Sequence, residues 1–248
     1  MNLFHILRYR FREQKVETVD PLEGYDRWAK QYTQERNPVL ELEQRALQDL
    51  LPNLTNRHVL DVACGSGRVT NLLARKGAAS VTGVDFSLKM LSEASTELDS
   101  TPGIRLLAAE AQFLPFKNES FDLLTCSMMI SHLEDLQPVV TEFSRVCKPE
   151  GRLLISEFHP IGHLLGWNRS FVEQTNGKSS MVRIRYFRHL HEDYFRAFKM
   201  ANLEIEELRE PRLDDSVKDY FEVSSKRLKD YKKFYGYPVV LCFRLKRL

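Results

Sequence analysis

Short apolar runs rich in Val, Leu and Ile alternate along this chain with longer amphipathic stretches. The short runs predict strands at about 57–62, 80–85, 104–108, 121–127 and 152–158, and the amphipathic stretches predict helices at about 67–76, 88–98 and 136–147. Strands that alternate with helices indicate a parallel sheet covered on both faces. Right-handed crossovers then wind the chain around that sheet.

The flanking segments extend this pattern. Apolar stripes over 22–51, interrupted at Pro38, predict two N-terminal helices. The C-terminal part predicts a helix at 191–200, strands at 203–208 and 239–245, and a charged helical stretch at 214–233. We therefore expect one domain over 1–248, made of a helical lid (1–51), a core (52–159), a cap (160–190) and a C-terminal half of the sheet (191–248).

The expected cap interrupts the alternation with glycines, aromatic residues and a polar turn. Within it, Met181–Phe187 alternates like one arm of a hairpin and carries Arg183 and Arg185, and Arg188 follows. An insertion after a parallel strand lies at the carboxyl edge of the sheet, where open α/β sheets bind ligands. We therefore interpret this segment as part of a substrate cap.

Composition narrows the class of protein. The 248-residue chain is 43% hydrophobic, which is enough to bury one core. Its net charge of +2 gives no indication of nucleic-acid binding. Four dispersed cysteines favour buried free thiols in a reducing compartment over a disulfide framework. No apolar run approaches the roughly 20 residues that span a bilayer, and we expect a cytoplasmic protein. Residues 1–15 are basic and amphipathic, which leaves membrane-surface contact open beside simple helix packing.

The segment Val59–Thr70 reads as an apolar strand, an acid, a glycine turn and the start of a helix. Gly65 and Gly67 would let a ligand approach the backbone closely, and the helix offers free N–H groups. Asp85 ends the next strand, where a carboxylate suits a ribose diol. Asp61 would repel a pyrophosphate and suits a positively charged amino group. The pattern therefore indicates a nucleoside-bearing cofactor.

This order of acid, Gly-x-Gly and second acid resembles the class I S-adenosylmethionine-dependent methyltransferases, in particular the ubiquinone/menaquinone-type group that acts on small molecules. Ala109–Phe116 is similar to the adenine-binding segment of the family, Phe121–Ser127 to its fourth strand and Val146–Ser156 to the turn into its fifth. The resemblance implies an α/β fold with a Rossmann-like seven-stranded sheet. That sheet would be mostly parallel with the last strand antiparallel, with helices on both faces and a small cap.

The resemblance also implies S-adenosylmethionine as the cofactor and suggests its contacts. Asp61 would meet the methionine amino group, and Asp85 would accept hydrogen bonds from the ribose hydroxyls. Glu110 stands where the family usually has the shorter aspartate. The remaining expected contacts are the lid residues Tyr25 and Tyr32, the turn residues Ala63, Gly65 and Gly67, Phe86 and Met90 against adenine, Ala111 and Gln112 at the base edge, and Cys126 and Ser127 beneath the cofactor.

Methyl transfer from a sulfonium mainly requires placement of the acceptor and exclusion of water, so no covalent nucleophile is expected. Where the acceptor must lose a proton, the candidate bases are His132 after the fourth strand and Glu157 and His159 after the fifth. A hydrogen-bonded loop histidine is the alternative for each imidazole. The pair His189 and His191 lacks the i, i+4 spacing of a helical metal site, and no metal is expected.

We therefore expect methyl transfer to the O, N or C atom of a small molecule, without nucleic acid as a partner. The run Met128–Ile130 suits either a hydrophobic acceptor or packing in the core, and the cap arginines leave a carboxylate acceptor open. One alternative is an NAD(P)-dependent oxidoreductase, which Thr70 disfavours because that fingerprint needs glycine or alanine there. The other is a non-catalytic protein that keeps the cofactor site.

Overall fold

The computed structural model describes residues 16–175, 177–222 and 225–248, with a seven-stranded sheet as its centre. The basic N-terminal segment of 1–15 lies outside these residues. The described residues contain ten strands, which are in chain order β1 Glu17–Val19, β2 His58–Val62, β3 Ser80–Asp85, β4 Ile104–Ala108, β5 Phe121–Ser127, β6 Cys147–Phe158, β7 Ser170–Thr175, β8 Lys178–Ile184, β9 Leu203–Arg209 and β10 Val240–Arg247.

The main sheet has the strand order β4-β3-β2-β5-β6-β10-β9. Strands β2 to β6 pair in parallel, and β10 lies antiparallel between β6 and β9. The predicted fold class, with its last strand antiparallel, is therefore confirmed. The chain crosses at β2, because β3 and β4 lie on one side of this strand and β5 lies on the other.

Helices cover both faces of the sheet. The helices are α1 Pro21–Gln34, α2 Pro38–Leu50, α3 Arg68–Arg75, α4 Leu88–Leu98, α5 Gln137–Val146, α6 Ile161–Leu164, α7 His191–Met200 and α8 Ser225–Phe234. Leu60 and Phe243 belong to a core packed against α5 and α7, whereas Val59 and Cys242 belong to a core packed against α2 and α3. Successive strand residues thus face opposite layers, as the pleat requires.

Local signals explain where the helices begin. The side chain of Ser87 accepts a hydrogen bond from the backbone of Met90 at 3.1 Å, which confirms the predicted N-cap of α4. Asn37 caps α2 in the same way, and Pro38 occupies the first helical position, where no N–H is needed. The stretch predicted as one charged helix at 214–233 contains a 3₁₀ segment, Asp215–Tyr220, followed by α8.

A second, three-stranded sheet has the order β1-β8-β7 and lies against α1; we call it the cap sheet. Strand β8 pairs in parallel with β1 and antiparallel with β7. Trp28 of α1 stacks on Phe171 of β7 with ring centroids 5.1 Å apart, and Val182 and Ile184 complete this small core. Strand β1, helix α1 and the hairpin of β7 and β8 therefore pack together.

The four cysteines are free and buried, as expected. In the part of the chain that the structure describes, no helix combines the length and the apolar character needed to cross a bilayer.

The contact between α1 and the cap sheet depends on Gly24, since a Cβ built there would lie 2.7 Å from Cγ1 of Ile184. We expect Gly24→Ala to lower the free energy of unfolding by about 1 kcal/mol, because overpacking outweighs the gain in helix propensity. Urea unfolding measures this change. Lys30→Ala, at an exposed position of the same helix, is the control and should change stability by less than about 0.5 kcal/mol. A Gly24→Ala protein as stable as the control would contradict the tight packing.

Candidate functional site

A cavity of about 400 Å³ opens at the carboxyl ends of β2, β3, β4 and β5, beneath α1. Its position follows from the crossing at β2, where loops leave neighbouring strands in opposite directions. Most residues expected at the cofactor line this cavity, namely Tyr25, Tyr32, Ala63, Gly65, Asp85, Phe86, Met90, Glu110, Ala111, Gln112 and Ser127, together with the candidate base His132.

The two glycines of the turn have different roles. Gly65 has φ +56°, and a Cβ built on it would meet no atom within 4 Å, so the backbone is open toward the cavity. Gly67 has φ +87°, and its Cβ would lie 2.6 Å from Cδ1 of Leu98, so this glycine serves the packing of α3 against α4. Gly67 is accordingly absent from the cavity lining. Ala63, with φ 55°, also adopts the left-handed region that favours glycine.

Asp85 is fixed at the end of β3 by backbone donors. One carboxylate oxygen accepts a hydrogen bond from the N–H of Gly65, and the other accepts from the N–H of Ser87, both at 2.9 Å. Burial raises the pKa of Asp85, while these N–H groups act to lower it. A carboxylate has about four lone-pair sites, so Asp85 could accept a further hydrogen bond from a ligand.

Asp61 lies under the turn and outside the cavity lining. It is fully buried, and its two oxygens accept hydrogen bonds from the hydroxyls of Thr70 and Thr125, each at 2.7 Å. Burial raises the pKa of Asp61 to about 6, against the opposing effect of the two hydroxyls. In this arrangement Asp61 ties α3 to β5, and its contact with a ligand amino group stays a prediction.

Cys126 and Ser127 end β5 but face different layers. Cys126 is buried in the core beside α5, whereas Ser127 lines the cavity. Ser127 and Ser156 both donate to the carboxylate of Glu43, which also pairs with Arg68. Glu43 lies on α2 with no exposed surface, so it connects the N-terminal helices to the cavity floor. Sequence reasoning missed Glu43, whose position in an apolar helical stripe was the available signal.

His132 has both ring nitrogens engaged. Its Nδ1 lies 2.8 Å from the carbonyl oxygen of Arg185, which can only accept, so Nδ1 carries the proton. Its Nε2 lies 2.9 Å from the hydroxyl of Tyr25, which therefore donates. Burial, assisted by the positive charge of Arg169, lowers the pKa of His132 to about 4. The imidazole is thus neutral near pH 7, with its basic nitrogen covered by Tyr25.

Glu157 forms a buried ion pair rather than part of the cavity wall. One of its oxygens lies 2.6 Å from the guanidinium of Arg169, and the other accepts from the N–H of Ser131 at 2.8 Å. Burial acts to raise the pKa of Glu157, but Arg169 and backbone N–H groups outweigh it and hold the pKa below its ordinary value. Arg169 also donates to the hydroxyl of Tyr25 at 3.1 Å.

His159 and His191 share a single carboxylate oxygen of Glu210, each through Nε2 at 3.0 Å. Among the described residues these three side chains form a cluster of possible metal ligands. However, Nδ1 of His159 accepts the backbone N–H of Ile161 at 3.2 Å, so the proton of the neutral ring belongs on Nε2. This tautomer favours a hydrogen-bonded cluster over a metal site. His159 lies outside the cavity lining, and its role as a base stays a prediction.

The end of the cavity near the turn after β5 is apolar. Met128, Met129 and Leu133, which follow β5, were not among the residues predicted to line a site, although the Met128–Ile130 run indicated an apolar wall. Pro21 and Ala109 also line the cavity.

Comparison with known proteins supports the resemblance over the core of the chain. A methyltransferase domain model matches residues 60–155, which span the strands that bound the cavity. Over these residues the chain is similar to methyltransferase domains. The resemblance expected from the sequence is thereby confirmed.

Two curated methyltransferases are similar to the core of this chain. A demethylmenaquinone methyltransferase of Thermobifida fusca is 35% identical over 116 residues, which are 44% of this chain and 49% of that protein. A ubiquinone/menaquinone biosynthesis C-methyltransferase of Rickettsia massiliae is 34% identical over 119 residues, 45% of this chain and 48% of that protein. The chain therefore spans about half the length of the curated relatives it matches.

Solved structures confirm the methyltransferase fold over a larger share of the chain. An S-adenosylmethionine-dependent methyltransferase from Mesorhizobium loti has a TM-score of 0.62 at 21% identity, covering 83% of this chain and 98% of that one. A geranyl diphosphate C-methyltransferase from Streptomyces coelicolor has a TM-score of 0.61 at 16% identity, covering 84% and 76%.

The raised pKa of Asp61 predicts a pH-dependent stability. Because the folded state holds the proton up to about pH 6, this group destabilises the fold as pH rises from about 4 to 6. The parent should therefore lose about 2–3 kcal/mol of unfolding free energy between pH 4 and pH 7 that Asp61→Asn, which cannot titrate at this position, does not lose.

Urea unfolding at several pH values measures this difference. Asp122→Asn is the matched control, since the pKa of Asp122 is lowered and its stabilising effect is lost only below pH 4. A difference between Asp61→Asn and the parent that stays constant from pH 4 to pH 7 would show that the buried acid does not titrate in this range.

Proposed function

We propose that the protein transfers a methyl group from S-adenosylmethionine to a small, hydrophobic acceptor. The observation that carries the proposal is the cavity itself, in which the open backbone at Gly65 and the fixed carboxylate of Asp85 face an apolar end at Met128 and Met129. One end suits a nucleoside and the other suits an apolar molecule.

The residues at the nucleoside end fit this cofactor. Asp85 would accept from the ribose hydroxyls, since its oxygens are already aligned by the N–H groups of Gly65 and Ser87. Phe86 and Met90 would pack against adenine, with Glu110 to Gln112 along the base edge. When bound, S-adenosylmethionine supplies a methyl group already activated on a sulfonium.

The acceptor end supports a quinone-type molecule as the substrate. Relatives are named for demethylmenaquinone and for ubiquinone/menaquinone biosynthesis. Met128, Met129 and Leu133 would bury an apolar body and keep water away from the reacting atoms. The fold itself positions the acceptor, and proximity then supplies much of the rate.

His132 is the candidate base closest to this apolar end. Its Nδ1–H is held by the carbonyl of Arg185, which leaves Nε2 as the atom that would take a proton. An acceptor hydroxyl would reach that atom by replacing the hydroxyl of Tyr25. A low pKa makes this imidazole a weak base, so placement outweighs proton removal in the proposed mechanism.

Calorimetric titration separates the candidate functions. We expect S-adenosylhomocysteine to bind and NADPH to give no heat. Asp85→Ala should weaken binding by about 1.5–3 kcal/mol, about 10- to 150-fold, because charged hydrogen bonds to the ribose are lost. Asp122→Ala, at the opposite end of the sheet, should bind as the parent does. Unchanged affinity in Asp85→Ala would remove the ribose assignment, and binding of NADPH instead would favour the oxidoreductase alternative.

Transfer of labelled methyl from S-adenosylmethionine to a reduced naphthoquinone tests turnover. Because His132 is neutral well above a pKa of about 4, kcat/KM should show no inflection from this residue between pH 6 and pH 8. An inflection near pH 6.5 that disappears in His132→Gln would show that the imidazole titrates in the working range. Cofactor binding without any methyl transfer would favour the non-catalytic alternative.

A further inference from the structure

Arg169 precedes β7 and is a buried cation that contacts Tyr25 of the cavity lining. Only 8% of its surface is exposed. One terminal nitrogen pairs with Glu157, and the other donates to Tyr25. Its Nε is buried and has no hydrogen-bond partner among the described residues. Buried N–H groups are almost always satisfied, so this donor calls for an explanation.

A small compartment lies beside Arg169. It has room for about one water molecule and is walled by Ser131, Phe158, Trp167 and Tyr186. Gly162 allows Trp167 to approach, since a Cβ there would lie 2.6 Å from the indole ring.

The compartment adjoins the main cavity. Ser131 lines the compartment, and the next residue, His132, lines the cavity. Tyr25 lines the cavity as well, and its hydroxyl contacts Arg169 directly. Movement of the Tyr25 hydroxyl would therefore join the two spaces.

The charges around the compartment cancel. The positive charge of Arg169 is matched by Glu157, and the neighbouring His132 is neutral near pH 7. A carboxylate placed here would be buried without a cation of its own, which is costly. Arg183 and Arg188 of the expected cap are exposed and lie outside both linings, and Arg185 pairs with Asp20 at 2.9 Å.

We propose that this compartment is a subsite for a neutral hydroxyl or carbonyl oxygen of the acceptor, which accepts a hydrogen bond from Nε of Arg169. The apolar body of the acceptor would remain in the main cavity against Met128 and Met129. This assignment rests on the proposed function for the identity of the acceptor as substrate. It makes Arg169 a specificity-determining residue that selects neutral oxygen over carboxylate.

The chain offers a built-in reporter, because its two tryptophans are Trp28 and Trp167. The indole N–H of Trp28 has no hydrogen-bond partner within 16–175, 177–222 and 225–248, so Trp28→Phe removes no hydrogen bond seen there and keeps a ring stacked on Phe171. In the Trp28→Phe protein, fluorescence reports on Trp167 alone, at the wall of the compartment.

Three matched probes test the proposal: 1-naphthol, naphthalene and 1-naphthoate. In the Trp28→Phe protein, 1-naphthol should bind about tenfold more tightly than naphthalene, because its oxygen gains a hydrogen bond from a charged donor. 1-Naphthoate should bind at least about tenfold more weakly than 1-naphthol, because burial of its charge is uncompensated. Equal binding of 1-naphthoate and 1-naphthol would overturn the proposal.

Two arginine variants test whether the preference for 1-naphthol over naphthalene depends on Arg169. Arg169→Lys keeps the charge beside Glu157 but lacks Nε, so the preference for 1-naphthol over naphthalene should disappear. Arg183→Lys, an exposed arginine on the same hairpin, is the matched control and should leave the preference unchanged. A preference that survives Arg169→Lys would overturn the assignment, and so would one abolished by Arg183→Lys. If Arg169→Lys fails to fold, the relative affinities of the three probes for the Trp28→Phe protein test the proposal on their own.

The subsite and the proposed function can fail separately. Binding of S-adenosylhomocysteine without saturable binding of 1-naphthol would overturn the subsite and leave the cofactor assignment intact. The expected probe ranking without binding of S-adenosylhomocysteine would support the subsite and contradict the proposed function.

Discussion

The crossing of the chain at β2 is the constraint on which the rest of the structure depends. With β3 on one side and β5 on the other, the loops after these strands diverge and leave a crevice at the carboxyl edge. The carboxylate of Asp85 spans that crevice by binding the backbone of Gly65. The apolar turn after β5 closes its other side. A site for an elongated molecule with one polar and one apolar end follows from this arrangement.

Much of the fold could be predicted because local signals agreed with tertiary packing. Helix α4 and strands β3, β4 and β5 have the bounds expected from Ser87 as a cap and from the apolar runs. By contrast, β1 is only three residues long, and its pairing with β8 is a long-range contact that no periodicity reveals. Strand β6 begins at Cys147, earlier than expected, because a register shift beside β5 accommodates the Lys148–Gly151 turn.

The site was predictable where backbone geometry fixes it. Asp85 and Gly65 were recognised because a glycine turn and a strand-end acid leave few other arrangements. Asp61 and Gly67 share the same motif but lie outside the cavity lining, because the hydroxyls of Thr70 and Thr125 bind Asp61 and the side chain of Leu98 packs against Gly67. Their contacts with the cofactor stay predictions. Arg169 stands in a glycine- and aromatic-rich stretch with no local sign that it meets a buried acid.

The parallel pairing of β1 with β8 has a consequence for how molecules enter and leave. Thr18 stands opposite Arg183, and Arg27 of α1 binds both Glu17 and Glu173, so lid and hairpin are fastened along their length. A motion that carries Tyr25 away from His132 must carry the hairpin with it. The cofactor and the acceptor would thus leave the crevice through the same opening. The slower of the two to dissociate would then limit the rate of release of both.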